Sequence, residues 1–277
     1  MIGAKGKFRH HIESMRYSLF IGGKRIRPIL CLAAGSAIND YHETRENLLP
    51  VCCALECIHT YSLIHDDLPA MDDDQLRRGK PTNHMIYGEA AAILAGDGLL
   101  TWGFELLSNQ TFGSLSAKKR LAIIDIIAKA SGSSGMVGGQ ALDIACENQD
   151  ISFEDLKTIH SSKTGALITA AVHAGGIGGG ADHDQIQSLI EYGNQIGLAF
   201  QIVDDLLNVT ATTEQLGKTA GSDSAHGKAT YPGFFGIDQT RIMAKETVNM
   251  AKEAIADFDI KADPLRQLAD YIYSRSH

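Results

Sequence analysis

Proline is scarce in this chain, with only six among 277 residues and none between Pro81 and Pro232. An interior proline costs a helix ~3 kcal/mol or more, so that long stretch is open to helices. Aromatic residues make up only 6%, and alternating strand patterns with hairpin signals are equally rare, which excludes an all-β class. There is no basic excess: the formal charge is −8, which argues against general nucleic-acid binding. No uninterrupted apolar run is long enough for a membrane span. The polar N-terminus lacks the apolar core of a signal peptide, and a cytoplasmic enzyme is expected. The five cysteines have no zinc-ligand spacing, and their odd number and apolar settings fit reduced, buried thiols.

What is present is helical periodicity, in residues 48–64, 90–107, 121–130, 186–207 and 240–258. Glycine clusters at 132–139 and 175–180 punctuate these stretches, and Gly178-Gly179-Gly180 reads as a flexible helix connection. No composition break or repeat divides the chain, so a single all-α domain over residues 1–277 is predicted. Residues 210–229, rich in Gly, Ser, Thr and Lys, read as a closing flap.

Two acidic clusters dominate the chemistry: Asp66-Asp67-Leu68-Pro69-Ala70-Met71-Asp72 and Asp204-Asp205-Leu206-Leu207-Asn208. Carboxylates this close raise each other's pKa unless a cation lies between them. Hard oxygen ligands open to solvent suit Mg²⁺, which keeps several waters and takes substrate phosphate oxygens as further ligands. Asp204 and Asn208 share a helix face at i, i+4. The step from Asp66 to Asp72 does not restore a face and Pro69 interrupts it, so a helix should end near Asp67 and Asp72 should return from a loop. Arg77 and Arg78 stand just beyond, as bidentate partners for phosphate. Gly22-Gly23-Lys24-Arg25-Ile26-Arg27-Pro28 implies a second anionic site. His59 lies seven residues before Asp66; alone it reads more often as a core histidine than as a ligand. Lys163-Thr164-Gly165, Gln201, Lys218 and Lys228 add donors.

Segments 22–28, 56–79, 138–143, 163–166, 200–205 and 227–232 resemble, in order and with compatible spacing, the successive motifs of trans-isoprenyl diphosphate synthases. Among these the chain looks most like the bacterial farnesyl diphosphate synthases. The resemblance implies a bundle of long helices around a central apolar cavity, a homodimer, and Mg²⁺ as cofactor, with three ions per site once substrate is bound. It implies head-to-tail joining of an allylic diphosphate, dimethylallyl or geranyl, to isopentenyl diphosphate. Asp66, Asp72 and Asp204 would ligate the metal, supported by Asp67 and Asp205. Arg77, Lys163, Lys218 and Lys228 would hold the allylic diphosphate, with Thr164 and Gln201 facing its reacting carbons. Lys24, Arg27, His59 and Arg78 would hold isopentenyl diphosphate. The departing diphosphate would take the final proton, so no side-chain base is expected.

The family places Tyr61 at the floor of the chain-length pocket, which implies mainly farnesyl diphosphate; ideal helix geometry instead puts Ser62 nearest beneath Asp66. A geranylgeranyl diphosphate synthase and a non-catalytic synthase subunit are the alternatives. A terpene cyclase needs no second diphosphate site, so Lys24, Arg27 and Arg78 argue against it. Two departures stand out. The resemblance implies an aspartate where Asn208 stands, and a first helix longer than the one expected of this chain.

Overall fold

The computed structural model describes residues 6–111, 113–210 and 228–274. Helices account for nearly all of the regular structure: α1 (Arg9–Phe20), α2 (Ile26–Ser36), α3 (Tyr41–Asp66), α4 (Asn83–Tyr87), α5 (Glu89–Ser108), α6 (Ala117–Ser131) and α7 (Met136–Ala145) come first. After them run α8 (Phe153–His160), a π-helical turn (Ser161–Gly165), α9 (Ala166–Gly179) and α10 (His183–Thr210). The chain closes with α11 (Tyr231–Phe235), α12 (Ile237–Ala254) and α13 (Asp263–Ser274). The only strands among the described residues are β1 (Leu76–Arg77) and β2 (Lys80–Pro81), one short antiparallel hairpin. The all-α expectation holds.

α3 packs along α5, α2 along α9, and α10 against α9 and α12. The core between α3, α5, α6 and α9 includes Leu55, Ile58, Leu99, Ile127 and Leu167. A second cluster joins α2, α9, α10, α12 and α13 around Tyr192, whose hydroxyl donates to the Leu265 carbonyl at 2.7 Å. Local signals set several helix starts. Asp40 accepts from the His42 amide at 2.8 Å ahead of α3, and Ser152 with Asp155 forms a capping box on α8.

Four expectations need correcting. First, the 48–64 helix starts earlier, at Tyr41, and runs through Pro50. The loop carrying Ser114 packs over this turn, its amide donating to Asn47 Oδ1 at 2.7 Å, so tertiary contacts outweigh the lost helical bond. Second, the predicted 240–258 helix stops at Ala254, because Arg266 of α13 gathers the carbonyls of Ile255 and Phe258 at 3.0 and 2.8 Å and stabilises a turn there.

Third, Gly178-Gly179-Gly180 is not a flexible connection. Gly175, Gly176, Gly178 and Gly179 are helical and buried in α9, and only Gly180, at φ +90°, ends the helix. A Cβ on Gly175 would lie 2.9 Å from the Ala34 Cβ and closer still to the Cys31 carbonyl oxygen, so the glycines let α2 and α9 touch backbone to backbone. By length and composition α3, α5 and the segment Ala117–Ala145 are apolar enough to cross a membrane, although none is an uninterrupted apolar run. For α3 the reason is burial on most sides, with 61% of its apolar window enclosed by the fold. Fourth, cysteine burial is incomplete: Cys31, Cys52 and Cys57 are buried, but Cys146 is partly exposed and Cys53 exposed.

Alanine normally stabilises a helix relative to glycine by ~1 kcal/mol. Gly175→Ala is expected to do the opposite and cost ~1–3 kcal/mol through overpacking against α2. Denaturant unfolding decides the sign, and a stabilised variant contradicts the close helix contact.

Candidate active site

α3 ends at the first acidic cluster. The Asp72 amide donates to the Asp66 carbonyl at 2.9 Å, so the loop brings Asp72 back to Asp66 as the spacing predicted. The hairpin that follows turns through Arg78 at φ +56° and Gly79 at φ +73°, and two consecutive positive φ values make the tight turn that matches strand twist. Its two arginines leave in different directions. Arg77 donates through Nε to Asp67 Oδ1 at 2.6 Å and through Nη2 to Asp74 Oδ2 at 3.2 Å. Burial opposes the Arg77 charge, but the Asp67 hydrogen bond together with the charges of Asp67, Asp74 and Asp66 holds the guanidinium above its usual value. Arg78 donates to the Gly22 carbonyl and lies over Gly23, where φ is +122° and any Cβ would meet the guanidinium. The N-terminal basic loop is thereby tied to the acidic loop. Arg25 is bound to Glu56 and to the Leu19 carbonyl, the latter at 2.7 Å, which makes it structural.

Across from α3, the π turn carries Lys163 and Thr164. Such turns are rare and frequent at functional sites. Two glycines make room for it: a Cβ on Gly139 of α7 would meet the Lys163 backbone, and one on Gly197 of α10 would lie 2.9 Å from the Gly165 Cα. Lys163 Nζ donates to Asp143 Oδ2 at 2.6 Å. Lys228 Nζ reaches the same oxygen at 3.4 Å and Asp72 Oδ1 at 3.3 Å. A continuous ion-pair chain therefore runs Asp72–Lys228–Asp143–Lys163. Burial opposes the Asp143 charge, yet the two lysines keep the carboxyl below its usual range. Burial likewise works against Lys228, and Asp143 with Asp72 raises it above the ordinary lysine value.

A cavity of about 370 Å³ lies between these elements. It brings together Arg27, His59, Tyr61, Ser62, Asp66, Lys163 and Thr164 from the predicted set, and adds His65, Met71, Met136, Val137, Gln140 and Ile144. Burial pushes the Asp66 carboxyl up to about 6; Lys163 works against this and Asp72 adds to it. Burial also drives His59 well below its usual value, with Arg27 adding to the effect. Arg77, Arg78 and Asp67 line a separate niche of about 20 Å³ beside Tyr17 and Thr60. Lys24 is exposed on the basic loop.

Gln201, Asp204, Asp205 and Asn208 all lie within α10 and are at most partly exposed. Asp205 is turned inward, accepting the Tyr231 amide at 2.9 Å with His160 Nε2 at 3.9 Å. Lys218, with most of the expected flap, lies outside the described residues.

Sequence reasoning assigned no role to Asp143, Gln140 or His160. Asp143 and Gln140 fall inside the quoted 138–143 segment, so the signal was a carboxylate and an amide on an apolar helix. His160 is stacked on Tyr231 with ring centroids 5.7 Å apart. Burial pushes it down to about 4, against the pull of Asp143, so it stays neutral near pH 7.

The donor set fits Mg²⁺. Among the described residues no three His, Cys, Asp or Glu side chains converge to hold a metal unaided. Mg²⁺ characteristically takes one or two carboxylates and completes its shell with water and phosphate. Asp66, held near pH 6 by burial, is a carboxyl that gains from such a cation.

Residues 9–264 match the polyprenyl synthetase family. The chain is 50% identical over 266 residues to a geranylgeranyl diphosphate synthase of Cyanophora paradoxa, covering 96% of this chain and 87% of that one. It is 44% identical to the farnesyl diphosphate synthase of Bacillus subtilis, covering 96% and 88%. A geranyltransferase structure from Helicobacter pylori, complexed with magnesium and isoprenyl diphosphate, superposes at TM-score 0.87 with 33% identity over 99% and 90% of the two chains. The chain belongs to the polyprenyl synthetase family. It is a trans-prenyltransferase of isoprenoid biosynthesis, acting on prenyl diphosphates.

The raised Asp66 pKa has a sign that can be tested. Between the unfolded carboxylate value near ~3.9 and the folded value of about 6, the native state binds the extra proton, so stability falls as pH rises through that window. At pH 7 the ligand-free protein carries the full penalty. Asp66→Asn is expected to be more stable than wild type there by ~1 kcal/mol or more, with the gap closing toward pH 4. Denaturation across this pH range checks it, and a pH-independent difference rules out the buried-carboxyl account.

Proposed function

We propose that the chain condenses dimethylallyl or geranyl diphosphate head-to-tail with isopentenyl diphosphate and releases mainly farnesyl diphosphate. The observation that carries this reading is the single cavity with Asp66, Lys163 and Thr164 at its rim, Arg27 and His59 beside them, and the Tyr61 ring in its wall. Asp66, Asp72 and Asp204 would hold Mg²⁺, three ions per site with substrate bound, and the metal would supply charge neutralisation to the diphosphate. Lys163 and Lys228 stand where the allylic diphosphate needs cations, already oriented by Asp143 and Asp72. Arg77, steadied by Asp67, and Lys218 complete that grip. Arg27, with Lys24, Arg78 and His59, binds isopentenyl diphosphate. His59 is held neutral by burial and by Arg27, so it donates a hydrogen bond to phosphate without titrating near pH 7.

Ionisation breaks the allylic C–O bond, and the electron pair leaves with the diphosphate. Thr164 and Gln201 offer neutral oxygens to the allylic cation, which stabilise it without attacking it. Apolar walls such as Met71 and Met136 exclude water that would trap it. The isopentenyl double bond then attacks, and the departed diphosphate takes the proton. The enzyme acts in the cytoplasm as a homodimer, and exposed Ile93, Leu94 and Leu121 on α5 and α6 are the apolar surface a second copy would cover.

Tyr61 supports the fifteen-carbon product: the ring is 6% exposed and packs edge-on against His65 at 5.7 Å between centroids. A twenty-carbon product is the second reading, favoured by the 50% identity to the Cyanophora geranylgeranyl diphosphate synthase. Retention of both aspartate clusters disfavours a silent subunit.

Asp66→Ala, Asp72→Ala and Asp204→Ala are each expected to lower turnover of geranyl with isopentenyl diphosphate by about a hundredfold or more, with helical circular dichroism preserved. Near-normal turnover by a folded variant, or full activity in excess chelator, sinks the metal assignment.

Tyr61→Ala should add products of twenty carbons or more at a stability cost of ~3 kcal/mol. Ser62→Phe should shift product toward ten carbons, since Ser62 lines the same cavity. Chromatography of the dephosphorylated products reads both. An unchanged Tyr61→Ala profile beside a shortened Ser62→Phe profile moves the floor to the Ser62 face.

A further inference from the structure

Gln140 lines the cavity, and the reading above leaves its chemistry unused. It lies on α7 directly after Gly139, the glycine that seats this helix against the Lys163 backbone. Both polar atoms of its amide, Nε2 and Oε1, are shut off from solvent and have no hydrogen-bond partner among the described residues. Folded proteins satisfy such groups almost without exception, and an apolar side chain of the same shape would serve the apo fold better. An unpaired amide at a cavity wall therefore points to a partner that arrives with substrate.

Position along α7 identifies that partner. One turn toward the C-terminus, Asp143 holds Lys163 and Lys228, the cations for the diphosphate. One turn toward the N-terminus, apolar Val137 also lines the cavity. Gln140 thus stands at the level where charged head meets hydrocarbon tail, which is the ester oxygen and first carbon of the allylic diphosphate.

We propose that the Gln140 amide turns into the cavity on binding and touches the allylic substrate at this junction, an inference that rests on the prenyltransferase reading of the site. Its N–H donates to the ester or adjacent phosphate oxygen. Its carbonyl oxygen faces the first carbon as the C–O bond breaks and the electron pair departs with the diphosphate. No bond to Gln140 forms, and no proton moves through it. The amide is worth more at the transition state than in the ground state, because charge separates across it.

The test pairs stability with kinetics. Gln140→Met keeps length and removes donor and acceptor. The expected result is a thermal midpoint no lower than wild type, kcat/KM for geranyl diphosphate reduced at least about tenfold, and KM for isopentenyl diphosphate changed less than about twofold. A smaller loss in kcat/KM overturns the inference, and so does a fall in midpoint with both substrates equally impaired, which marks a structural role. Independently of that variant's folding, a crystal structure of wild type with Mg²⁺ and a non-ionising thiolo analogue of geranyl diphosphate should place an amide atom of Gln140 within about 3.5 Å of the analogue. An amide still turned away overturns the proposal. Wild type run in parallel separates the two readings: no prenyl transfer by wild type removes the proposed function itself, whereas an active wild type with an equally active variant removes only the role of Gln140.

Discussion

Charge neutralisation in a partly buried acidic site is the constraint on which the rest of this structure depends. Asp66 and Asp72 from one segment and Asp143 from another meet where water is too scarce to screen them. Lys228 bridges Asp72 and Asp143, and Lys163 closes the chain from the π turn. Removing any one member leaves a neighbouring charge partly buried and uncompensated, which is costlier than the pair is stabilising. The lysines therefore do two things at once. They allow the apo fold to tolerate its acidic groups, and under the proposed function they would pass to an anionic substrate.

That arrangement works only because backbones approach closely. The π turn puts Lys163 and Thr164 at the cavity, and Gly139 and Gly197 give α7 and α10 the room to lie against it. Gly175 and Gly179 do the same for α2 against α9, one step removed from the chemistry, and so set the basic loop leading into α2 relative to α3. The hairpin then ties that loop down, with Arg78 on Gly22 and Arg77 on Asp67. Glycines and arginines act here as complementary spacers: the former shorten distances between helices, and the latter span them.

Much of the fold was legible in the sequence. The 3.6-residue periodicity located α3, α5, α6, α10 and α12, helped by the proline-free span for α5, α6 and α10, since an apolar stripe is a local property of the chain. The errors share one cause. Pro50 inside α3, the early end of α12 under Arg266, and glycines that pack rather than flex all reflect contacts from residues far away in sequence, which local propensity does not contain.

For the site, sequence by itself determined the chemical inventory: two acidic clusters, the Arg77-Arg78 pair, the Lys24–Arg27 loop and the lysines, with Asp72 returning to Asp66 after a helix end. Residue type and short-range spacing carry that information, because repulsion between adjacent carboxylates and the turn demanded by Pro69 act within a few residues. Only tertiary structure decided which cation meets which carboxylate. Asp143 at the centre of the lysine pair, His160 buried and neutral behind it, Asp205 turned inward to Tyr231, and Gln140 without a partner at the cavity wall are consequences of helix packing. Electrostatic energies fall with distance and rise with burial, and neither quantity exists until the helices have come together.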